Sequence, residues 1–201
     1  DAGILHALGH VMTSSGEASI PEGLNIISAG GAFEVAGVAL FLARQGLAAV
    51  GLFDSDAAGL AGQAQLDGSL RTDAPLRGAI QSLTLGTAAG LDVEEATIED
   101  LFPAEYFLDA LRGVADGPGL QVIRDLEAHS RLAEEPHLAR KLEKAFHERH
   151  LRYPKVEVAT ELETRLSAMQ SIEELPEVMR PSARHLIGAI RSALASCAGQ
   201  G

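Results

Sequence analysis

With 201 residues, 46% of them hydrophobic, the chain is long enough to bury a core as one domain without disulfides. Its 28 acidic and 16 basic residues leave a net charge of −12, the reverse of a nucleic-acid binder's basic footprint, so contact with phosphates requires divalent cations or a basic partner domain to invert the local field. A lone cysteine, Cys197, excludes a disulfide scaffold and points to an intracellular, by default cytoplasmic, protein; no apolar run of about 18 residues marks a membrane span, and no basic leader suggests a signal.

In chain order, apolar residues recur at helical spacing from Gly3 to Met12, and Ser14-Ser15-Gly16 closes that helix. After a turn at Pro21-Glu22-Gly23, the β-rich run Leu24–Ser28 predicts a strand, followed by Ala29-Gly30-Gly31 and an apolar helix from Phe33 to Gln45 closed by Gly46. Ala48–Phe53 predicts a second strand leading into Asp54. From Ala57 to Asp92 the composition is Gly-rich and mixed, with Ile80–Leu85 as a further strand before a turn at Gly86. Glu95–Pro103 is expected to form a last short strand ending in acids, after which Pro103 opens a helix through Tyr106 and Leu111. Beyond Gly119 helices are expected at about 121–131, 137–151, 156–169 and 176–197.

Unbroken apolar strands alternating with helices predict an α/β fold: a parallel sheet with helices on both faces and right-handed crossovers. The expected division is a catalytic core over 1–118 and a helical appendage over 119–201. In such sheets ligands sit beyond the carboxyl ends of the strands, which is where Gly30-Gly31 and Asp54-Ser55-Asp56 fall.

Phe53-Asp54-Ser55-Asp56-Ala57-Ala58-Gly59 carries the strongest chemical signal. Two carboxylates two residues apart at a strand end suit a hard, oxygen-seeking cation such as Mg²⁺. The plainer alternative is that Asp54 caps the next helix and Asp56 is solvated. A parallel strand ending in Asp-x-Asp-x-x-Gly, after a helix and an earlier strand ending in Gly-Gly, resembles the TOPRIM fold of topoisomerases, primases and overcoming-lysogenization-defect (OLD) nucleases. Thr97-Ile98-Glu99-Asp100-Leu101-Phe102-Pro103 and Tyr153-Pro154-Lys155-Val156-Glu157 are similar to segments of the OLD branch that supply acids to a second metal and an active-site lysine.

That resemblance, which covers most of residues 1–160, implies a Mg²⁺- or Mn²⁺-dependent DNA endonuclease or nickase, with Ca²⁺ binding without cleavage. Asp1 is implied as the acid opening the first helix, the family's strand-end glutamate falling just before it. Asp1, Asp54 and Asp56 would hold one metal and Glu99 with Asp100 a second. Asp54 and Lys155 would be catalytic, Lys155 stabilising charge or assisting proton transfer. Two cations about 4 Å apart clamp the attacking and leaving oxygens of a phosphodiester. The family pattern further implies a fragment preceded by an N-terminal ATPase domain, with a homodimer and a helicase-like partner; the abrupt start at Asp1-Ala-Gly-Ile-Leu agrees, and no phosphate-binding Gly-rich Lys-Ser/Thr loop is present in these residues. For Lys155 the alternative is an exposed lysine after a proline turn, and for Glu99 and Asp100 it is helix capping.

Other constellations carry less. His147 and His150, and His6 and His10, are helical pairs without the intervening glutamate of a metalloprotease, and read as solvated or core-edge histidines. Ala29-Gly30-Gly31 lacks the third glycine of a dinucleotide fingerprint. A haloacid-dehalogenase-type phosphatase using Asp54 as nucleophile is the enzymatic rival, although Ala58 stands where that family has Thr or Val; an acidic α/β protein-interaction module is the non-enzymatic one.

Overall fold

A computed structural model describes residues 2–17, 20, 21, 23–129, 132 and 137–198. Among these the fold is mixed α/β, dominated by helices around a small parallel sheet. Ala49-Val50-Gly51-Leu52-Phe53, with no polar residue to favour either face, forms strand β1 (Ala49–Phe53), which pairs in parallel with β2 (Ile80–Thr84) in the register Ala49↔Ile80 to Phe53↔Thr84. Because side chains alternate across a strand, Ala49 and Phe53 point to one face and Leu52 to the other. Helices α2 (Ala32–Arg44) and α3 (Ala57–Thr72) cover the first face, and α9 (Arg180–Ala198) packs on the sheet through the second.

The crossover from β1 to β2 is α3, which the sequence hides behind three glycines and a small, mixed composition. One of those glycines has a packing reason: a Cβ on Gly62 would stand 2.6 Å from the Ala32 carbonyl oxygen, so only glycine lets α3 approach the start of α2. After β2 comes a single short helix, α4 (Leu85–Ala89), ended by Gly90 at φ 64. Gly86 is therefore inside a helix and not the expected turn.

The remaining helices are α1 (Ala2–Ser14), α5 (Ala104–Val114), α6 (Gly117–His129), α7 (Leu138–Glu148) and α8 (Lys155–Ser167). α1 packs on α8 and α9, and α5 on α8. Leu8, Leu111, Leu142, Leu162 and Leu186 are fully buried in one continuous core, to which residues on both sides of position 118 contribute. Asp116 caps α6, its Oδ1 accepting from Gly119 N–H at 2.8 Å.

Two expected strands differ from the sequence reading. Leu24–Ser28 runs without helix or ladder, and no hydrogen bond joins it to β1 among the described residues. Glu95–Pro103 contains a single 3₁₀ turn, Ile98–Leu101, instead of a strand. Asp100 explains that turn: its Oδ2 accepts from the Thr97 backbone N–H at 2.8 Å and from the Thr97 hydroxyl at 3.1 Å, closing a capping box that a strand could not contain. The sheet thus has two strands among the described residues, fewer than the sequence suggests.

Candidate active site

At the carboxyl end of β1 the chain leaves the sheet through Asp54-Ser55-Asp56 and enters α3. Asp56 is the N-cap of that helix, with Oδ1 accepting from Gly59 N–H at 2.8 Å. A Cβ on Gly59 would lie 2.0 Å from the Asp54 carbonyl oxygen, so the last residue of Asp-x-Asp-x-x-Gly must be glycine for the strand end and helix start to meet. Ser55 fastens this bend to two other segments: its backbone N–H donates to Ala96 O at 2.8 Å, and its hydroxyl oxygen accepts from Gly86 N–H at 2.9 Å. The 95–101 segment is thereby held beside Asp54, bringing Glu99 with it.

The electrostatics record the result. Burial raises the Asp54 carboxyl to about 6, and the charges of Glu99 and then Asp56 push it the same way, against Lys155 and Arg140. Five charged groups from β1's end, the 3₁₀ turn, α7 and α8 share one neighbourhood. Lys155, the first residue of α8, puts its Nζ 3.9 Å from Glu99 Oε1 with most of its side chain in water. It is placed there by Tyr153, which is buried edge-on against Phe146 with ring centroids 5.5 Å apart. Burial, followed by the charges of Glu99 and Glu143, holds the Tyr153 phenol above its ordinary range.

Arg140, in the first turn of α7, was not singled out by the sequence. Its Nη2 donates to Asp56 Oδ2 at 3.0 Å and its Nη1 to Glu95 Oε2 at 2.6 Å, closing an acid–arginine–acid bridge. Glu95 adopts a left-handed φ of 53, a conformation uncommon outside glycine that presents its carboxylate to Arg140. No local signal announces this arginine, since it meets Asp56 across 84 positions of sequence.

Of the residues expected to form the site, Asp54, Asp56, Glu99 and Lys155 come together. Asp100 has the capping role its alternative reading gave it, with His137 Nδ1 4.0 Å from the same oxygen. Asp1 lies outside the described residues. His6 and His10 are exposed on α1, and His147 and His150 are exposed at the end of α7, in keeping with a solvated reading.

No group of three or more His, Cys, Asp or Glu is assembled as a metal cage among the described residues. The acids that remain are Asp54 and Glu99, two carboxylates, and a hard cation of the Mg²⁺ type takes one or two carboxylates and completes its shell with water and phosphate oxygens. Asp54 makes no side-chain hydrogen bond among the described residues, and Glu99 has only the long contact to Lys155. Asp56 can join only through Oδ2, which Arg140 occupies. For a second cation the described residues offer no separate set, because Asp100 is committed to Thr97.

A cleft of about 430 Å³ leads to these acids. Leu24–Gly31 lines it together with β1, and Asp54, Asp56 and Lys155 lie among its walls. No protein-family model, curated protein or solved structure matches the chain.

Proposed function

We propose that this chain carries the phosphodiester-cleaving site of a divalent-cation-dependent DNA endonuclease or nickase, on an α/β core of the TOPRIM type as in OLD nucleases. The observation that supports it most is the environment of Asp54: a half-buried carboxylate at a parallel strand's carboxyl end, raised to about 6 by burial and by Glu99 and Asp56, with Lys155 and Arg140 alongside. A carboxylate that burial and neighbouring acids make harder to ionise is costly to a fold, and a cation relieves that cost. With a net charge of −12, the protein also needs such a cation to bring a DNA strand to this rim.

Asp54 and Glu99 would hold Mg²⁺ or Mn²⁺, joined by Asp56. The cation would supply Lewis-acid stabilisation of charge on the phosphate and a more acidic bound water. Lys155 stands within reach of Glu99 on a largely solvated stem, which suits it to neutralise a phosphate oxygen or assist proton transfer to the leaving oxygen. Glu99 orients that ammonium, and the capping box of Thr97 and Asp100 fixes the turn from which Glu99 projects. DNA as substrate, an N-terminal ATPase domain, a homodimer and a helicase-like partner belong to the same proposal and rest on the family resemblance, as does a second metal, for which the described residues supply no separate ligands.

The test is relaxation of supercoiled plasmid by the 201-residue chain in Mg²⁺ or Mn²⁺, with Ca²⁺ and EDTA as controls. Asp54→Ala is expected to lose about 10³-fold or more in rate, and Lys155→Ala about 10- to 100-fold. Equal nicking by all three proteins, or none by the parent chain with any cation, removes the proposal.

A further inference from the structure

Strand β1 is paired along one edge only. Ala49, Gly51 and Phe53 turn their backbone groups to β2, which leaves the N–H and C=O of Val50 and Leu52 on the opposite edge, where no described residue bonds them. That edge lines the cleft of about 430 Å³. Leu24–Ser28 lines the same cleft, and its backbone makes a single hydrogen bond to other described residues, from Leu24 N–H to the Pro21 carbonyl at 3.2 Å. Unpaired backbone groups beside apolar walls are costly, because methyl groups cannot bond them; another extended backbone can.

The walls say what side chains such a backbone must carry. Val35 and Leu42 of α2 border the cleft on one face of the sheet, and Ile190 and Leu194 of α9 on the other. A strand laid against Val50 and Leu52 is therefore covered on both faces, which calls for an unbroken apolar run and not for alternation. Charge narrows the choice further. The protein carries a net −12, and Asp54 and Asp56 stand in the cleft wall at the carboxyl end of β1, so an acidic segment is repelled and a basic one drawn in. A second copy of the chain brings the same −12 and is disfavoured on that ground.

We propose that the open edge of β1 is a docking slot for a strand of a partner protein: a short extended segment, apolar and β-branched along its length and flanked by lysine or arginine, which adds to the sheet through the backbone of Val50 and Leu52. The slot is independent of the metal-dependent reading, since it uses backbone groups and apolar walls and no cation.

The experiment titrates the 201-residue chain, in EDTA, into the rhodamine-labelled peptide Lys-Lys-Val-Ile-Val-Ile-Val-Lys-Lys, whose apolar run matches the five residues of β1, and follows anisotropy. Saturable binding is expected, with amide exchange at Val50 and Leu52 slowed about 10-fold or more and that at Gly51 and Phe53 little changed. Exchanging the flanking lysines for glutamates should weaken binding about 10-fold, and replacing both isoleucines by proline, which removes backbone donors, by at least as much. Ile27→Asp puts a carboxylate on a wall residue that is already 54% exposed, so the fold is spared while binding falls about 10-fold. Absence of saturable binding, binding that leaves Val50 and Leu52 unprotected, or equal binding by the proline peptide or by Ile27→Asp overturns the slot; equal binding of the glutamate-flanked peptide overturns the basic partner. Val50 and Leu52 already protected in the free monomer would mean that Leu24–Ser28 closes the edge itself, and protection that grows with protein concentration alongside a doubled mass in light scattering would mean that a second copy fills it; either result replaces the partner strand.

Discussion

The helical sector and the sheet sector of this molecule fill their interiors differently. Among α1, α5, α7, α8 and α9 most buried positions are large, with Ala7, Ala110 and Ala183 among the exceptions: Leu8, Leu111, Leu142, Phe146, Leu162 and Leu186 interlock with almost no exposure. Between the sheet and α2 and α3 the buried positions include Ala36, Ala39, Ala43 and Ala49, with Phe53, Leu66, Leu76 and Ile80 as the large exceptions. Small residues bring backbones close but bury little apolar surface. The same sector leaves Ile27, Phe33, Phe41, Leu47 and Leu60 at least half exposed, with Phe41 at 61%. A helix as apolar as α2 belongs inside a protein, yet here it turns phenylalanines to water. One sector anchors the fold; the other carries the acids on an incompletely covered frame.

The largest expected contrast comes from truncating one leucine in each sector. Leu162→Ala, in the helical core with 1% exposure, should cost about 3 to 5 kcal/mol in urea unfolding. Leu60→Ala, on the outer side of α3 with 50% exposure, should stay within about 0.5 kcal/mol. Comparable losses at the two positions would mean that the sheet sector is covered in solution and would erase the distinction.

Next in size is Gly59→Ala. The added methyl would sit 2.0 Å from a backbone oxygen, which cannot swing aside as a flexible side chain could. The bend between β1 and α3 must open, at a cost of about 2 to 3 kcal/mol, and Asp54 moves with it. Calorimetric melting checks the first effect and Mn²⁺ titration the second; an alanine variant as stable as the parent would show the bend to be looser than its contacts imply.

Asp54 gives a smaller effect with a definite sign. Its carboxyl is raised from 3.8 to about 6, so the folded protein holds that proton more tightly than the unfolded chain. Its contribution favours the fold below about pH 4 and is lost as pH rises through 6. Asp54→Asn should therefore gain on the parent by about 1 to 2 kcal/mol between pH 4 and pH 7, after allowance for the group's contact with water. Comparing the two proteins at each pH cancels the opposing titration of carboxylates held low by arginines, such as Glu17 beside Arg184 and Asp125 beside Arg149. Parallel stability curves would mean that neither burial nor the neighbouring acids raise the Asp54 carboxyl in the folded protein.

How much of this was legible depended on range. Helical spacing located α1, α2 and α7 to α9 because each buries one stripe of its own sequence. α3 escaped because its buried face is made of Gly59, Gly62 and Leu66, which leave almost no apolar period. Thr97-Ile98 and Leu101-Phe102 look like a strand, but the Thr97-x-x-Asp100 spacing is itself a capping signature and decides the turn. The acids at β1's end were readable because strand-end position and Asp-x-Asp are both local. Arg140 and Glu95 were not, since their meaning lies in contacts 84 and 45 positions away.

Leu24–Ser28 marks the same limit, and it carries the prediction with the least effect on stability. Propensity recognises an extended segment, while pairing depends on what the tertiary fold puts beside it. Ala49 N–H donates to Ala79 O at 2.9 Å, and the parallel register places Gly51 and Phe53 on that same paired edge. Val50 and Leu52 must then direct their amides to the opposite edge, into the cleft shared with Leu24–Ser28. Amide hydrogen exchange should find those two amides exchanging about 10-fold or more faster than Gly51 and Phe53 in the same strand, with global stability unchanged. An alternating pattern inside one short strand cannot arise from fraying, which would relax neighbouring amides together. Equal protection along β1 would mean that Leu24–Ser28 pairs with it in solution, closing the cleft and making the sheet sector as complete as the helical one.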